Sequence, residues 1–177
     1  TIDRNPTDGE RSSTVQIRGR NILDKTHISV NVSQPETRQS DAAIDVIATT
    51  LERGDTFRIN ISHRHQPTAG VPAFEATRDN EPLRYVDVAH SFSNAEVSNS
   101  SFLIRVSKTR VQQMGIEPET VVMHRYHDNE WQRLTTKMVR ETKTHYIYRT
   151  QTPGFSTFAV TAPVPRLSVN KASLEQK

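Results

Sequence analysis

The side chains of this 177-residue chain that could do chemistry are seven histidines and a wide scatter of hydroxyls and carboxylates. His63 and His65 stand one residue apart. On a strand that spacing puts both imidazoles on one face, about 6.5–7 Å apart, a separation two metal ligands can use. They are weak candidates all the same, because His63-Arg64-His65 reads equally well as a solvated loop entrance. His124 and His127 join them only if their strands meet, and the simpler role for His127 is hydrogen bonding across a turn. Neither a metal nor a cofactor is expected. Ser, His and Asp are plentiful, but none sits in a G-x-S-x-G elbow, and no P-loop, G-x-G-x-x-G or H-E-x-x-H occurs, so no catalytic residue is assigned and no enzyme is expected. The absence of cysteine excludes a disulfide framework, a cysteine-based zinc site and a thiol nucleophile together.

Modification is the other chemistry written in the chain. Asn31-Val32-Ser33, Asn60-Ile61-Ser62 and Asn99-Ser100-Ser101 are N-x-S/T acceptor sequences for N-glycans. Chance alone supplies one or two in a chain with 35 Ser and Thr. Asn31 and Asn60 fall on the polar faces of predicted strands, where a sugar would project outward.

The elements that must carry these residues are strands. Period-two alternation runs through Thr14–Arg18, His27–Val32, Thr56–Ser62, Leu83–Val88, Ser101–Val106, Val121–Tyr126, His145–Thr150 and Phe155–Val160, with turn signals between them. The pattern predicts an all-β fold, a two-sheet antiparallel β-sandwich. Asp41–Ala48 fits both a strand and a helical turn and is read as a strand. One short helix is predicted near 107–114, with Ser107 as its N-cap and Gly115 ending it. Asp128-Asn129 reads as a hairpin turn, since both residue types tolerate positive φ. The expected core includes Ile59, Ile61, Tyr85, Phe102, Ile104, Trp131 and Phe158, all between the sheets. Residues 14–162 form a single domain in this reading, flanked by an N-terminal extension at 1–13 and a C-terminal tail at 163–177, both polar and proline-bearing.

Composition excludes several partners. Apolar residues make up only 33%, and no stretch approaches the ~18 consecutive apolar residues of a spanning helix, so no membrane insertion is expected. Net charge is +3 with a pI near 9.4, aromatics are 6%, and Arg18-Gly19-Arg20 is the densest basic patch, so no nucleic-acid partner is expected.

The run from Pro118 to Thr136, PETVVMHRYHDNEWQRLTT, followed by Tyr146 to Val160, YIYRTQTPGFSTFAV, closely resembles the PGF-pre-PGF domain of archaeal cell-surface proteins. That family shows a YRYHDGxWxxL hairpin, then a strand, then a TPGFSxFAI ending; Asn129 stands here where the family usually has Gly. The resemblance covers about residues 27–162 and is most specific over 117–162. It implies an extracellular module at an archaeal surface. The motif residues Tyr126, Asp128, Trp131, Pro153, Gly154, Phe155 and Phe158 have structural work to do: Trp131 covers the core with Tyr126 as its cross-strand partner, and Pro153-Gly154 makes the sharp entry into the last strand.

The expected function is therefore a non-catalytic, extracellular structural protein at the cell surface, a self-assembling filament, sheath or surface-layer subunit whose principal partner is itself. The alternatives are an adhesion module for surface glycans or other surface proteins, and a virion or appendage component. Assembly is expected to use strand exchange, with Val15 and Ile17 in the donated strand and Arg166–Asn170 as a second, poorer donor.

Overall fold

The computed structural model describes residues 13–33, 40–53, 56–74 and 80–163. The tail segment 166–170 lies outside them. The strands are β1 (Ser13–Gly19), β2 (Thr26–Asn31), β3 (Ala42–Leu51), β4 (Phe57–Arg64), β5 (Glu81–His90), β6 (Val97–Ser107), β7 (Val122–His127), β8 (Glu130–Arg133), β9 (Thr136–Glu141), β10 (His145–Thr152) and β11 (Thr157–Ala162), with α1 (Lys108–Gln113) between β6 and β7. Two antiparallel sheets result, one ordered β1-β4-β5-β11-β7-β8 and the other β2-β3-β6-β10-β9. The predicted β-sandwich is the observed fold, and the ambiguous Asp41–Ala48 stretch is a strand, its alternate residues Ala42 and Ile44 fully buried.

Local chemistry explains the punctuation. The Ser107 hydroxyl accepts from the Arg110 N–H at the start of α1, and Gly115 at φ 63° takes the left-handed conformation just after it. Asp128 and Asn129 have φ of 51° and 65°, the paired positive values of a tight I′-type hairpin joining β7 to β8.

Ile59, Ile61, Phe102, Ile104 and Phe158 form the core between the sheets, with Phe158 edge-on to Phe102 at 5.1 Å between ring centroids. Two expected members lie elsewhere. Because Phe158 faces inward, Thr157 and Ala159 face outward, and register carries that outward face through Tyr126 to Trp131 and directly to Tyr85. Tyr85 is buried and Trp131 half-buried, but on the outer face of the six-stranded sheet rather than between the sheets.

The expectation that Thr14–Arg18 passes to a neighbouring copy is also corrected. β1 pairs with β4 of its own chain through seven residues, with Val15 opposite Ile61 and Ile17 opposite Ile59. Both β1 side chains pack on the core, so the chain itself uses this strand to cover two fully buried isoleucines.

The His63 Nε2 accepts the Ile44 N–H at 3.0 Å, which sets β4 facing β3, and the Thr136 hydroxyl accepts the Met123 N–H at 3.1 Å, which sets β7 beside β9. One side of the sandwich is therefore bounded by β1 and β2, the other by β8 and β9.

Candidate functional site

The histidine pair does not form a metal site. His63 is 1% exposed and points between the sheets, where its Nε2 is committed to the Ile44 N–H. His65 lies past the end of β4, exposed, and its Nε2 is 2.9 Å from an Arg84 guanidinium nitrogen, a contact that holds the imidazole as an acceptor. The strand ends at Arg64, so the alternation that would place the two rings on one face stops between them. Burial pushes the Arg84 guanidinium down from its ordinary value, while nearby Asp41 works in the other direction. Among the described residues no group of three or more His, Asp or Glu side chains is placed to hold a metal ion.

The motif residues gather on the outer face of the six-stranded sheet, under a strap that the sequence reading did not single out. Residues 70–74 cross that face. The Pro72 carbonyl accepts from Trp131 Nε1 at 3.3 Å, and the Phe74 N–H donates to the Tyr85 hydroxyl at 2.9 Å. The Phe74 ring lies 4.7 Å from His124 and 5.7 Å from Trp131, and Tyr126 lies 5.3 Å from Trp131. His124 is sealed beneath: burial first, then the Arg133 charge, hold its pKa down at about 4, so the ring is neutral near pH 7, with Nδ1 3.2 Å from the Thr161 hydroxyl. The only local signal for this roof is Gly70-Val71-Pro72, a turn sequence whose partners lie 11 residues on, at Tyr85, and 50–60 residues on, at His124 and Trp131.

At the other motif, Pro153-Gly154 leads into a buried Phe155 whose backbone is gripped by Asn94. The Asn94 Oδ1 accepts the Phe155 N–H at 2.7 Å and its Nδ2 donates to the Phe155 carbonyl at 3.1 Å. A Cβ on Gly154 would lie 2.6 Å from the Asn94 side-chain carboxamide, so glycine is required by close approach, not by backbone angle. Asp128 serves the hairpin turn, exposed beside His127.

No protein-family model matches the chain, and no curated protein matches it.

Open clefts are shallow and mixed in character. One of about 940 Å³ at the end of the sandwich is lined by Ile22, Leu23, Phe57 and Phe92 together with Asp24 and Arg53. Another of about 610 Å³ lies on the outer face of the five-stranded sheet, with Leu103 and Val46 beside Ser29, Arg149 and Gln151. The asparagines of the three N-x-S/T sequences stand apart: Asn31 and Asn99 exposed, Asn60 half-buried.

The feature that offers a partner the most is a strand edge. β1 and β2 each pair on one side only among the described residues, with no break in register along seven and six residue pairs. Neither contains proline or a bulge, and among the described residues the half of their N–H and C=O groups that points outward has no strand beside it. The opposite side is blunted: β8 is four residues long, and β9 carries Lys137, Arg140 and Glu141 and bulges at Val139. Val15 and Ile17, read from the sequence as assembly residues, anchor the longer open edge from inside.

Proposed function

We propose that this chain is a non-catalytic structural protein of an extracellular, archaeal-type cell surface, a subunit whose copies join through the open edge of β1. The observation that carries the reading is β1 itself. It is a regular seven-residue edge strand with exposed Thr14, Gln16 and Arg18, and among the described residues it has none of the devices by which sheet edges are normally blunted except one arginine. Such an edge accepts a second strand through main-chain hydrogen bonds alone. The resemblance of 117–162 to PGF-pre-PGF domains supplies the compartment. The histidines support the non-catalytic reading, because His63, His65 and His124 are each committed to a structural contact.

The joint differs from a donated strand. β1 stays in its own sheet, and the neighbour adds to its outer edge, so the two sheets run on as one across the contact. Sedimentation velocity of the purified chain over a hundredfold concentration range, with electron microscopy of the same samples, tests this. Regular concentration-dependent assemblies are expected. A chain that stays monomeric throughout, yet is retained on a glycan array, belongs instead to the adhesion modules.

A further inference from the structure

The three N-x-S/T sequences are equal on paper and unequal in the fold. Asn60 lies in β4, which is hydrogen-bonded on both sides, to β1 and to β5. Its Oδ1 already accepts from Gln16 Nε2 at 2.8 Å, and the hydroxyl of Ser62, itself buried, is 3.0 Å from that of Thr14. Asn99 lies in β6 at the break in register with β3, at φ 51°, just outside the β10 ladder, which begins at Ser100. Its side chain is exposed, but Ser100 is buried with its hydroxyl 2.6 Å from that of Thr49, and Ser101 sits in both ladders opposite Ala48 and Gln151. A transferase that must hold an asparagine and the hydroxyl two residues on would have to lift either tripeptide out of the sheet.

Asn31 needs no such lifting. It is exposed, it is the last residue of the edge strand β2, and the chain turns there: the Ser33 N–H donates to the Asn31 Oδ1 at 2.9 Å, an Asx turn. The hydroxyl of Ser33, itself exposed, donates to Asp45 at 2.8 Å. The Asn31 Oδ1 is occupied by the turn, and among the described residues no partner is placed on the amide nitrogen of this exposed side chain.

We infer that Asn31 is the N-glycan acceptor of the folded protein and that Asn60 and Asn99 are not, an inference that rests on the extracellular reading above for the compartment in which the donor is met. The donor class is an oligosaccharide carried on a polyprenyl phosphate or pyrophosphate. The Asn31 Nδ2 forms a bond to the anomeric carbon, the bond from that carbon to the phosphate oxygen breaks with its electron pair leaving on the phosphate, and one amide proton passes to a base on the transferase. A glycan there stands at the end of β2, where its bulk and hydration blunt the second of the two open edges and leave β1 as the joint.

The test is made on the folded full chain with a purified oligosaccharyltransferase of N-x-S/T specificity and its lipid-linked oligosaccharide, read by intact mass and peptide mapping. One glycan per chain is expected, on the peptide holding Asn31, and it is lost in both Asn31→Gln and Ser33→Ala. Heat-unfolded chain, offered the same enzyme, gains glycan at Asn60 and Asn99 as well. Equal modification of Asn60 or Asn99 in the folded chain overturns the inference. So does a folded chain left bare at Asn31 under conditions where the unfolded chain is modified there. Fractionation of the source cells is scored separately: recovery of the chain from the cytosol overturns the extracellular reading without touching the choice of acceptor.

Discussion

Along one side of the sandwich run β1 and β2, seven and six residues long with unbroken register, whereas on the other side β8 has four residues and β9 is interrupted at Val139. Both sides are made of alternating strands over the same core. They differ in what faces the missing neighbour. On the β9 side, Lys137, Arg140 and Glu141 crowd the edge, Lys108 forms an ion pair with Glu141, and the 70–74 strap roofs the adjoining hairpin. Within β1 only Arg18 is charged, and the outward residues Thr14 and Gln16 reach back to Ser62 and Asn60. A strand edge left so plain is a hazard unless it is used, and among the described residues the means of blunting an edge stand on one side only.

The comparison breaks most visibly if β1 is removed. Deletion through Arg18 uncovers Ile59 and Ile61, both fully buried, and discards the half-buried Val15 and Ile17. At roughly 1.5–3 kcal/mol for each large apolar side chain returned to water, the loss is on the order of 5 kcal/mol, comparable to the whole stability of a marginal domain. The deleted chain is expected to show no cooperative thermal transition by circular dichroism. A folded monomer would restore the view that β1 is spare and available for donation.

On the blunted side, Trp131→Ala removes the ring that meets Phe74, Tyr85 and Tyr126. Because that ring is half-buried on an outer face, about 2–3 kcal/mol is expected, less than the roughly 3–5 kcal/mol for Phe158→Ala in the central core. Urea melts of the two variants side by side check the ranking, and an equal or larger loss at Trp131 would return it to the core.

Acid tests the same roof. His124 titrates near 4 when folded, against 6.5 for an ordinary histidine, so between those values the unfolded chain binds more protons. The stability contributed by the neutral, buried ring is fully present above about pH 6.5 and is lost as pH falls through about 4. Allowing for solvent at the edge of the strap, the effect is about 2 kcal/mol, a fall in Tm of roughly 4–8 °C across that window. Melting curves of His124→Gln over the same window should slope less steeply than those of the parent, and identical slopes would place the titrating group elsewhere.

How much of this was legible beforehand depends on range. Strands, the Ser107-capped helix and the Asp128-Asn129 hairpin are set by residues within a few positions of one another, and alternation, a cap and two turn-formers read them directly. The placement of Trp131 depends on which of its strand's two faces meets the other sheet. That face follows from pairing with β11, and alternation alone is blind to it. The histidine pair failed for a local reason, the end of β4 at Arg64. Asn94 and Phe74 were missed because each acts on a partner about 60 residues away, on Phe155 and on Trp131, with nothing nearby to announce it. β1 was read as a strand but given to the wrong chain, since its alternation fits the edge of any sandwich, its own included.

The most direct test of the account substitutes lysine on each side of the sandwich in turn and follows assembly by sedimentation velocity. Thr14→Lys with Gln16→Lys adds charge to the plain edge at exposed positions and loses one exposed and one part-buried hydrogen bond, for a stability cost of about 1–2 kcal/mol. Val139→Lys adds charge to the already blunted edge. The β1 variant is expected to sediment as a folded monomer at concentrations where the parent and the Val139 variant both assemble. Assembly that survives in the β1 variant, or is lost only in the Val139 variant, would contradict it.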